Sequence, residues 1–438
     1  MDRFLLERLK SWQSDSRRKP LILRGARQVG KTWLLQEFGK TCFDNVAYVR
    51  LEDNAAMSQL FEGSLDPRRI VTGISAATGE PINPHTTLII LDEVQAVPRA
   101  LTALKYFCED APEYAIAVAG SLLGVALNAG ISFPVGKVTF FDLYPLNFRE
   151  FLLAMGEAAL EKSISSLDFD MMDVFKERYE DLLRLYYFIG GMPEVVSTYV
   201  RTGDFSKVRA LQQDILDAYR GDFAKHAGAT IGERCRLIFE SIPRHLAKEN
   251  KKFVYGVVKK GARGRDLDDA LQFLIDAGLV LKVNRISAPG VPLSAYVDEA
   301  SFKLFCVDVG LLGALAKLDS SVILEGSALF THFKGAMAEQ YVCQQLVGDC
   351  GLDAYYWSAA KSAAEVDFVT QMGELVVPIE VKAEENLRAK SLASFCKSNG
   401  IEHAVRTSLS GFRRETWLTN VPLYAIGRLN RIDIRSTL

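Results

Sequence analysis

Four short apolar runs punctuate the first 150 residues: 20–25 (PLILRG), 45–51 (NVAYVRL), 86–93 (TTLIILDE) and 114–121 (YAIAVAGS). None alternates polar with apolar positions, and the segments between them carry apolar residues at helical spacing. That pattern predicts strands buried on both faces of a parallel sheet, joined by helical crossovers. A fifth run, 136–146 (GKVTFFDLYPL), is expected at one edge. The fold class is α/β, doubly wound.

From 147–156 (NFREFLLAMG) to about Phe223 the strand signal disappears. Leu, Tyr, Phe and Ala recur three to four apart there, broken by GGMPE at 190–194, and a helical subdomain is expected. Next come helices at about 233–247, near 254–260 and at 265–278, then strand-like pieces at 279–286 and 294–308. Three helices followed by a hairpin is the order of a winged helix. The last stretch opens with a helix at 335–347, continues with strands at 354–359, 365–371 and 375–383, and ends in a helix at 389–399, a second α/β unit. The expected division is 1–155, a P-loop core; 156–228, a helical lid; 229–325, a winged-helix domain; and 326–438, an α/β C-terminal domain.

Composition narrows the class without naming a function. At 438 residues the chain exceeds one hydrophobic core, and 49% hydrophobic with 24% charged residues describes a soluble protein folded throughout. The seven cysteines form no CxxC pair, so they read as buried or free thiols. The N-terminus MDRFLLERLKSW lacks the apolar core of a signal peptide, and no run approaches the ~18 residues of a membrane span. A cytoplasmic protein without a membrane partner is expected. A net charge of -2 exerts no global pull on a polyanion, so any nucleic-acid surface must come from local clustering.

Residues 25–32 (GARQVGKT) fit GxxxxGK[ST] at every fixed position, between an expected strand and an expected helix. Gly25 and Gly30 let backbone N–H groups turn inward where a Cβ would obstruct the curl, so Gly25, Ala26, Arg27, Gln28, Val29, Gly30, Lys31 and Thr32 form the expected cup for ATP phosphates. Lys31 reaches the β- and γ-phosphates and the Thr32 hydroxyl ligates Mg²⁺. The strand at 86–93 ends in Asp92, expected to hold the Mg²⁺ through water, and Glu93, expected to act as general base on the attacking water. With a strand between the P-loop and this acidic pair in sequence, an extra strand is expected to insert between them in the sheet, and this with Glu93 marks the AAA-like class. Ser121, at the end of the next strand, is either the polar sensor of the γ-phosphate or a helix cap. Pro193 in GGMPE is either a residue stacking on adenine or a helix break. Arg149, Arg220 and Lys137 are the candidates for a finger reaching a neighbouring subunit, with no choice among them.

Between Arg234 and Arg265 ten Lys or Arg stand against two Glu. Such a run is either a solvated helix face or a phosphate-backbone surface, and the winged-helix order favours DNA. Lys251, Lys252, Lys259, Lys260, Arg263 and Arg265 bracket the expected turn and recognition-helix start. RDLDDAL is acidic just inside that helix, which points to reading of shape more than of bases.

A second constellation lies at 365–383, with Asp367 on one strand and Glu380-Val381-Lys382 on the next. Alternate residues of a strand share a face, so Glu380 and Lys382 point together and Val381 points to the core. Asp367 and Glu380 are candidate ligands of a divalent metal, Lys382 a residue that activates water and Glu339 a further ligand; a surface hairpin with a salt bridge is the other reading.

The stretches GARQVGKT, IILDEVQ, AGSLL, SFPVGKV, LYPLNFREFL, IGGMPEVV, FCVDVGLL, GAMAEQYV, WSAAKSAAEVDFV and IEVKA together resemble the prokaryotic AAA-superfamily ATPases. More closely, they resemble those with a C-terminal domain of unknown function, a winged helix followed by a restriction-endonuclease-like module. The resemblance runs from about Leu21 to about Leu392. It implies ATP hydrolysis with Mg²⁺, homo-oligomers, and DNA transactions, branched or duplex DNA being the expected partner. It also implies that Asp367, Glu380 and Lys382 match the PD-(D/E)xK pattern, with Glu339 as its helical glutamate. Lys137 departs from it, since relatives often carry arginine after that glycine. The expected function is a Mg²⁺-dependent ATPase coupled to DNA; the alternatives are an ATP-regulated metal-dependent nuclease and a nucleotide-switched protein scaffold.

Overall fold

Strands β1 (Leu21–Arg24), β2 (Asn45–Arg50), β3 (Thr87–Asp92), β4 (Ala115–Ala119) and β5 (Thr139–Asp142) arise from the five apolar runs. Every residue of β3 and β4 is buried, as runs without polar alternation require. All neighbours pair in parallel, in the order β2-β3-β4-β1-β5. The expected inserted strand is therefore β4, lying between the P-loop strand β1 and the acidic strand β3, while β2 takes one edge and β5 the other. Ile22, Ile89, Leu91, Ile116 and Val118 pack with Phe61, Ile70, Ile74, Leu104 and Phe107 from the crossover helices in one apolar cluster. At about 25 cal/mol per Å² of apolar surface removed from water, such burial is what fixes the sheet.

The computed structural model describes residues 1–120, 136–323, 331–359, 364–384 and 389–435. Two compact units emerge, one holding Asp2–Tyr144 with Asp276–Gly278, the other Met1, Pro145–Ile275 and Leu279–Leu438. The division at 144/145 falls inside the first expected segment, and most of the other three share one unit.

That larger unit begins with a helix at Phe148–Ala154, held by a capping box in which Asn147 and Glu150 satisfy each other's backbone N–H. Helices Lys176–Ile189 and Pro193–Thr202 follow, then a long one, Phe205–Leu246, broken at Gly228 (φ 77°, ψ 165°). After the short helix Tyr255–Val258 and the helix Gly264–Asp276 come β6 (Val280–Ile286) and β7 (Val297–Cys306), an antiparallel pair. The expected order of three helices and a hairpin is present in these elements. The hairpin does not stand alone: β6 pairs in parallel with β8 (Tyr355–Ser358) through Asn284 and Arg285. β9 (Glu365–Met372), β10 (Leu375–Val381), β11 (Ala404–Ser408), β12 (Arg413–Arg414) and β13 (Leu418–Pro422) complete a sheet in the order β12-β13-β11-β10-β9-β8-β6-β7. The strands beyond 399 were not expected from the sequence.

Helix Thr331–Gly348 runs through the unit's interior, with Glu339, Gln340, Gln344 and Gln345 all buried. Each glutamine accepts from a backbone N–H, and Gln340 also donates to a backbone carbonyl. Gln340 accepts from Cys306 N (2.8 Å) and donates to Cys306 O (2.7 Å); Gln344 accepts from Val309 N (3.0 Å); Gln345 accepts from Phe148 N (3.1 Å). Buried polar groups are tolerated when so satisfied. Among the described residues no helix is long and apolar enough to cross a membrane.

Candidate functional site

The loop after β1 is shaped by backbone that few residues adopt. Gly25 has φ 149°, and a Cβ there would lie 2.2 Å from Leu143 O; Gly30 has φ 94° and caps the helix Lys31–Cys42. Gln28 sits at φ 68°, a cost that persists where surrounding structure over-determines the turn. Ala26 and Val29 are buried anchors, and Arg27 and Gln28 are exposed between them. The buried Arg3, missed in the sequence, ties the loop down by donating to Val29 O (3.1 Å) and Tyr144 O (2.5 Å).

Lys31 is 8% exposed and donates to the loop's own carbonyls, Gly25 O at 2.9 Å and Ala26 O at 2.7 Å. Burial pushes its ammonium down to about 8, against the opposing pull of Glu93 and Asp92. Thr32 donates through Oγ1 to Asp92 Oδ2 at 2.6 Å, and the Tyr48 hydroxyl donates to the same oxygen at 3.0 Å. Asp92 Oδ1 accepts from the Glu93 backbone N–H at 3.0 Å. Glu93 adopts the left-handed conformation (φ 51°), and Gln95 Nε2 donates to its Oε2 at 2.5 Å. A Cβ on Gly120 would lie 2.3 Å from Gln95 Oε1, so a larger residue there would displace that amide. Tyr48 and Gln95 were not singled out in the sequence; the position of Gln95, two residues past the general-base candidate, was the available signal. The cup, the buried ammonium and the hydroxyl–carboxylate pair fit a Mg²⁺-bound nucleotide: Gly25 to Thr32 would hold the phosphates, and Thr32 with Asp92 the metal.

Ser121 lies outside the described residues. Pro193 opens the helix Pro193–Thr202 at its first turn, where a missing N–H costs nothing. The preceding backbone is pinned, with Gly191 O accepting from Leu146 N (2.7 Å) and Gly191 N donating to the buried Asp308 (2.6 Å). All three finger candidates stand in ion pairs. Arg149 is 8% exposed and bonds Glu161 (2.7 Å) and Asp349 (3.4 Å); Arg220 bonds Asp217 (2.6 Å) and Glu240 (3.2 Å). Lys137 pairs with Glu109 at 3.0 Å on the surface.

The basic segment divides in two. Lys259, Lys260, Arg263 and Arg265 are exposed around the start of helix Gly264–Asp276. Lys251 is not part of that surface: its side chain is 16% exposed and its ammonium lies 2.5 Å from Glu339 Oε1. Lys252 donates to Ser301 Oγ at 2.9 Å. Glu339 on the helix Thr331–Gly348 draws Lys251 inward, and Ser301 on β7 draws Lys252.

On the adjacent strands β9 and β10, Asp367 Oδ2 accepts from Val381 N at 2.8 Å, and Lys382 donates to Glu380 Oε1 at 2.6 Å. Glu380 and Lys382 do share a face. Two further residues complete the cluster, neither expected: Lys303 on β7, fully buried, pairs with Glu365 and lies 3.7 Å from Glu339 Oε2. Burial opposes the Lys303 charge, but Glu339, Glu365 and Asp367 outweigh it and hold its pKa above the ordinary value. Burial, then Glu339 and Glu380, push Asp367 well above the carboxylate range; burial also raises Glu380. Among the described residues no three His, Cys, Asp or Glu converge as a metal-ligand set.

Three family matches divide the sequence: "AAA domain" over 17–152, "Domain of unknown function (DUF8612)" over 180–322 and "Domain of unknown function (DUF4143)" over 334–426. No curated protein matches the chain. Solved structures similar to it include the Walker-type ATPase PabY2304 of Pyrococcus abyssi, 14% identical over 72% of this chain and 95% of that one, with a TM-score of 0.44. Cdc6p of Pyrobaculum aerophilum is 12% identical over 73% and 93% (TM-score 0.26). The Aeropyrum pernix ORC1 protein, solved in complex with DNA, is 14% identical over 72% and 91% (TM-score 0.27). Scores of this size carry no argument, and the conclusion stands on the family match, the strand order and the loop. Residues 17–152 match the AAA domain model and carry the phosphate-binding loop and the strand order described above.

Proposed function

We propose that the protein is a Mg²⁺-dependent ATPase whose nucleotide cycle is coupled to DNA held by its basic segment. The observation that carries the reading is the contact of Thr32 with Asp92 at 2.6 Å, at the foot of a cup whose lysine donates to the carbonyls of Gly25 and Ala26. Lys31 exchanges those carbonyls for the β- and γ-phosphates, trading neutral acceptors for charged ones. When bound, Mg²⁺ neutralises charge developing on the phosphate oxygens. Glu93 takes the proton of the attacking water, and Gln95 sets where its carboxylate points. Pro193 is the candidate adenine contact and Ser121 the candidate sensor; a neighbouring copy of the chain supplies the finger.

The helices Phe205–Leu246 (its second half), Tyr255–Val258 and Gly264–Asp276 with the β6–β7 hairpin support a winged-helix reading. The exposed Lys259, Lys260, Arg263 and Arg265 at the start of the third helix are the proposed contacts with DNA phosphates. The test is the ATP turnover rate measured with single-stranded, duplex and four-way DNA. One of these is expected to stimulate turnover several-fold, and a Lys259→Glu/Lys260→Glu variant is expected to lose both the stimulation and the DNA affinity. Unchanged affinity in that variant would remove the DNA surface and favour protein clients.

A further inference from the structure

The PD-(D/E)xK resemblance asks Glu339, Asp367 and Glu380 to converge on a divalent cation. Their surroundings do not fit one. Glu339 Oε1 is taken by the Lys251 ammonium at 2.5 Å, and its Oε2 faces the Lys303 ammonium at 3.7 Å. Glu380 Oε1 is taken by Lys382 at 2.6 Å, Glu365 by Lys303, and Asp367 Oδ2 by a backbone N–H at 2.8 Å. Lys303 is fully buried, and its ammonium also lies 4.9 Å from the centre of the Tyr356 ring. A dication entering here would meet three ammonium groups before it met three free carboxylates.

From this network we infer that Lys251 and Lys303 are the resident cations of the cluster, occupying by ion pairing the place of a divalent metal. The C-terminal module is then not a metal-dependent nuclease. Three glutamates (Glu339, Glu365, Glu380) pair with three lysines (Lys251, Lys303, Lys382), and Asp367 beside them is held by a backbone N–H. Buried charges persist only when paired in this way. Two of the three lysines come from outside 326–438: Lys251 from the basic segment and Lys303 from β7. The nuclease-like strands and the hairpin before them are thus one electrostatic as well as one hydrogen-bonded unit. A module closed in this way has no metal-activated water with which to cut DNA.

The test is Mn²⁺ uptake by the full, nucleotide-free chain, read from the paramagnetic signal of free Mn²⁺, together with the melting temperature with and without Mn²⁺. Wild type and Asp367→Ala are expected to take up the same amount, and wild type to melt at an unchanged temperature. Lys251→Met, at a partly exposed position, frees Glu339 Oε1 and is expected to gain Mn²⁺ uptake and a Mn²⁺-dependent rise in melting temperature. One Mn²⁺ bound by wild type but not by Asp367→Ala would overturn the inference. So would Mn²⁺-dependent cleavage of branched or linear DNA that Asp367→Ala abolishes. Either result leaves the ATPase reading untouched, because that reading rests on the other unit.

Discussion

The loop at 25–32 with its acidic strand, and the strand pair at 365–382, pose the same problem and solve it differently. Each places carboxylates at or near the ends of sheet strands beside a lysine named by its motif. In the first, Asp92 meets the hydroxyls of Thr32 and Tyr48, Glu93 meets an amide, and Lys31 turns to backbone carbonyls. In the second, ammonium groups pair with Glu339, Glu365 and Glu380, and Asp367 accepts from a backbone N–H. A site meant for an incoming cation leaves its metal-holding acid, Asp92, to hydroxyls, which yield cheaply; a site already filled binds its acids with lysines, which do not.

The largest expected effect separates the two regions by chemistry. Glu93→Gln should lower ATP turnover by ~10² to 10⁴-fold, the range for losing a general base, with nucleotide affinity retained. Asp367→Asn should leave basal turnover unchanged. Steady-state phosphate release and a fluorescent-nucleotide titration read both. Full turnover in Glu93→Gln would dissolve the distinction from its catalytic side.

A second effect breaks the comparison from the other side. Lys303→Met leaves Glu365 and Glu339 without their buried cation, a loss of about 3–5 kcal/mol for one partner of a buried pair. Two compact units need not unfold together, so the readout is hydrogen exchange in β9 and β10 rather than one global melting curve. Protection there should fall, and adding Glu365→Gln should restore part of it. Unaltered protection in Lys303→Met would mean that the lysines decorate the cluster rather than hold it.

How much of this was legible in the chain follows the range of each interaction. The P-loop and the acidic pair are written in contiguous residues, and apolar runs announced β1 to β5; the parallel order with β4 inserted agreed with that reading. The partners were not legible. Tyr48 reaches Asp92 from a neighbouring strand, Arg3 reaches Val29 across the fold, and Lys303 reaches Glu339 from a hairpin whose pattern declares only a strand. Lys251 was misread for a related reason. Counting charge along 234–265 treats every lysine as solvated, whereas the interior helix Thr331–Gly348 draws this one inward. The strands β11 and β13 escaped because fully buried polar residues, Arg406, Thr407, Ser408, Thr419 and Asn420, interrupt what an apolar scan looks for.

The smallest effect sharpens the account of Lys31. Its pKa is lowered by burial to about 8, so the folded, nucleotide-free protein holds fewer protons here than the unfolded chain between about pH 8 and the ordinary lysine value. The charged form costs stability below that window, and the cost is relieved as pH rises through it. Phosphate reverses the preference, because a bound polyanion favours the ammonium. At pH 8 the nucleotide's phosphates are already ionised, so binding should draw about half a proton per site from buffer, falling towards none at pH 6. Calorimetric titrations in two buffers of different ionisation enthalpy measure that number directly. Affinity should weaken as pH climbs past 8, since each step then requires a proton that solvent supplies less readily. Zero uptake at pH 8, with tight binding, would mean that Lys31 is fully charged before nucleotide arrives, and that the two carbonyls beside it hold an ammonium ion as well as phosphate does.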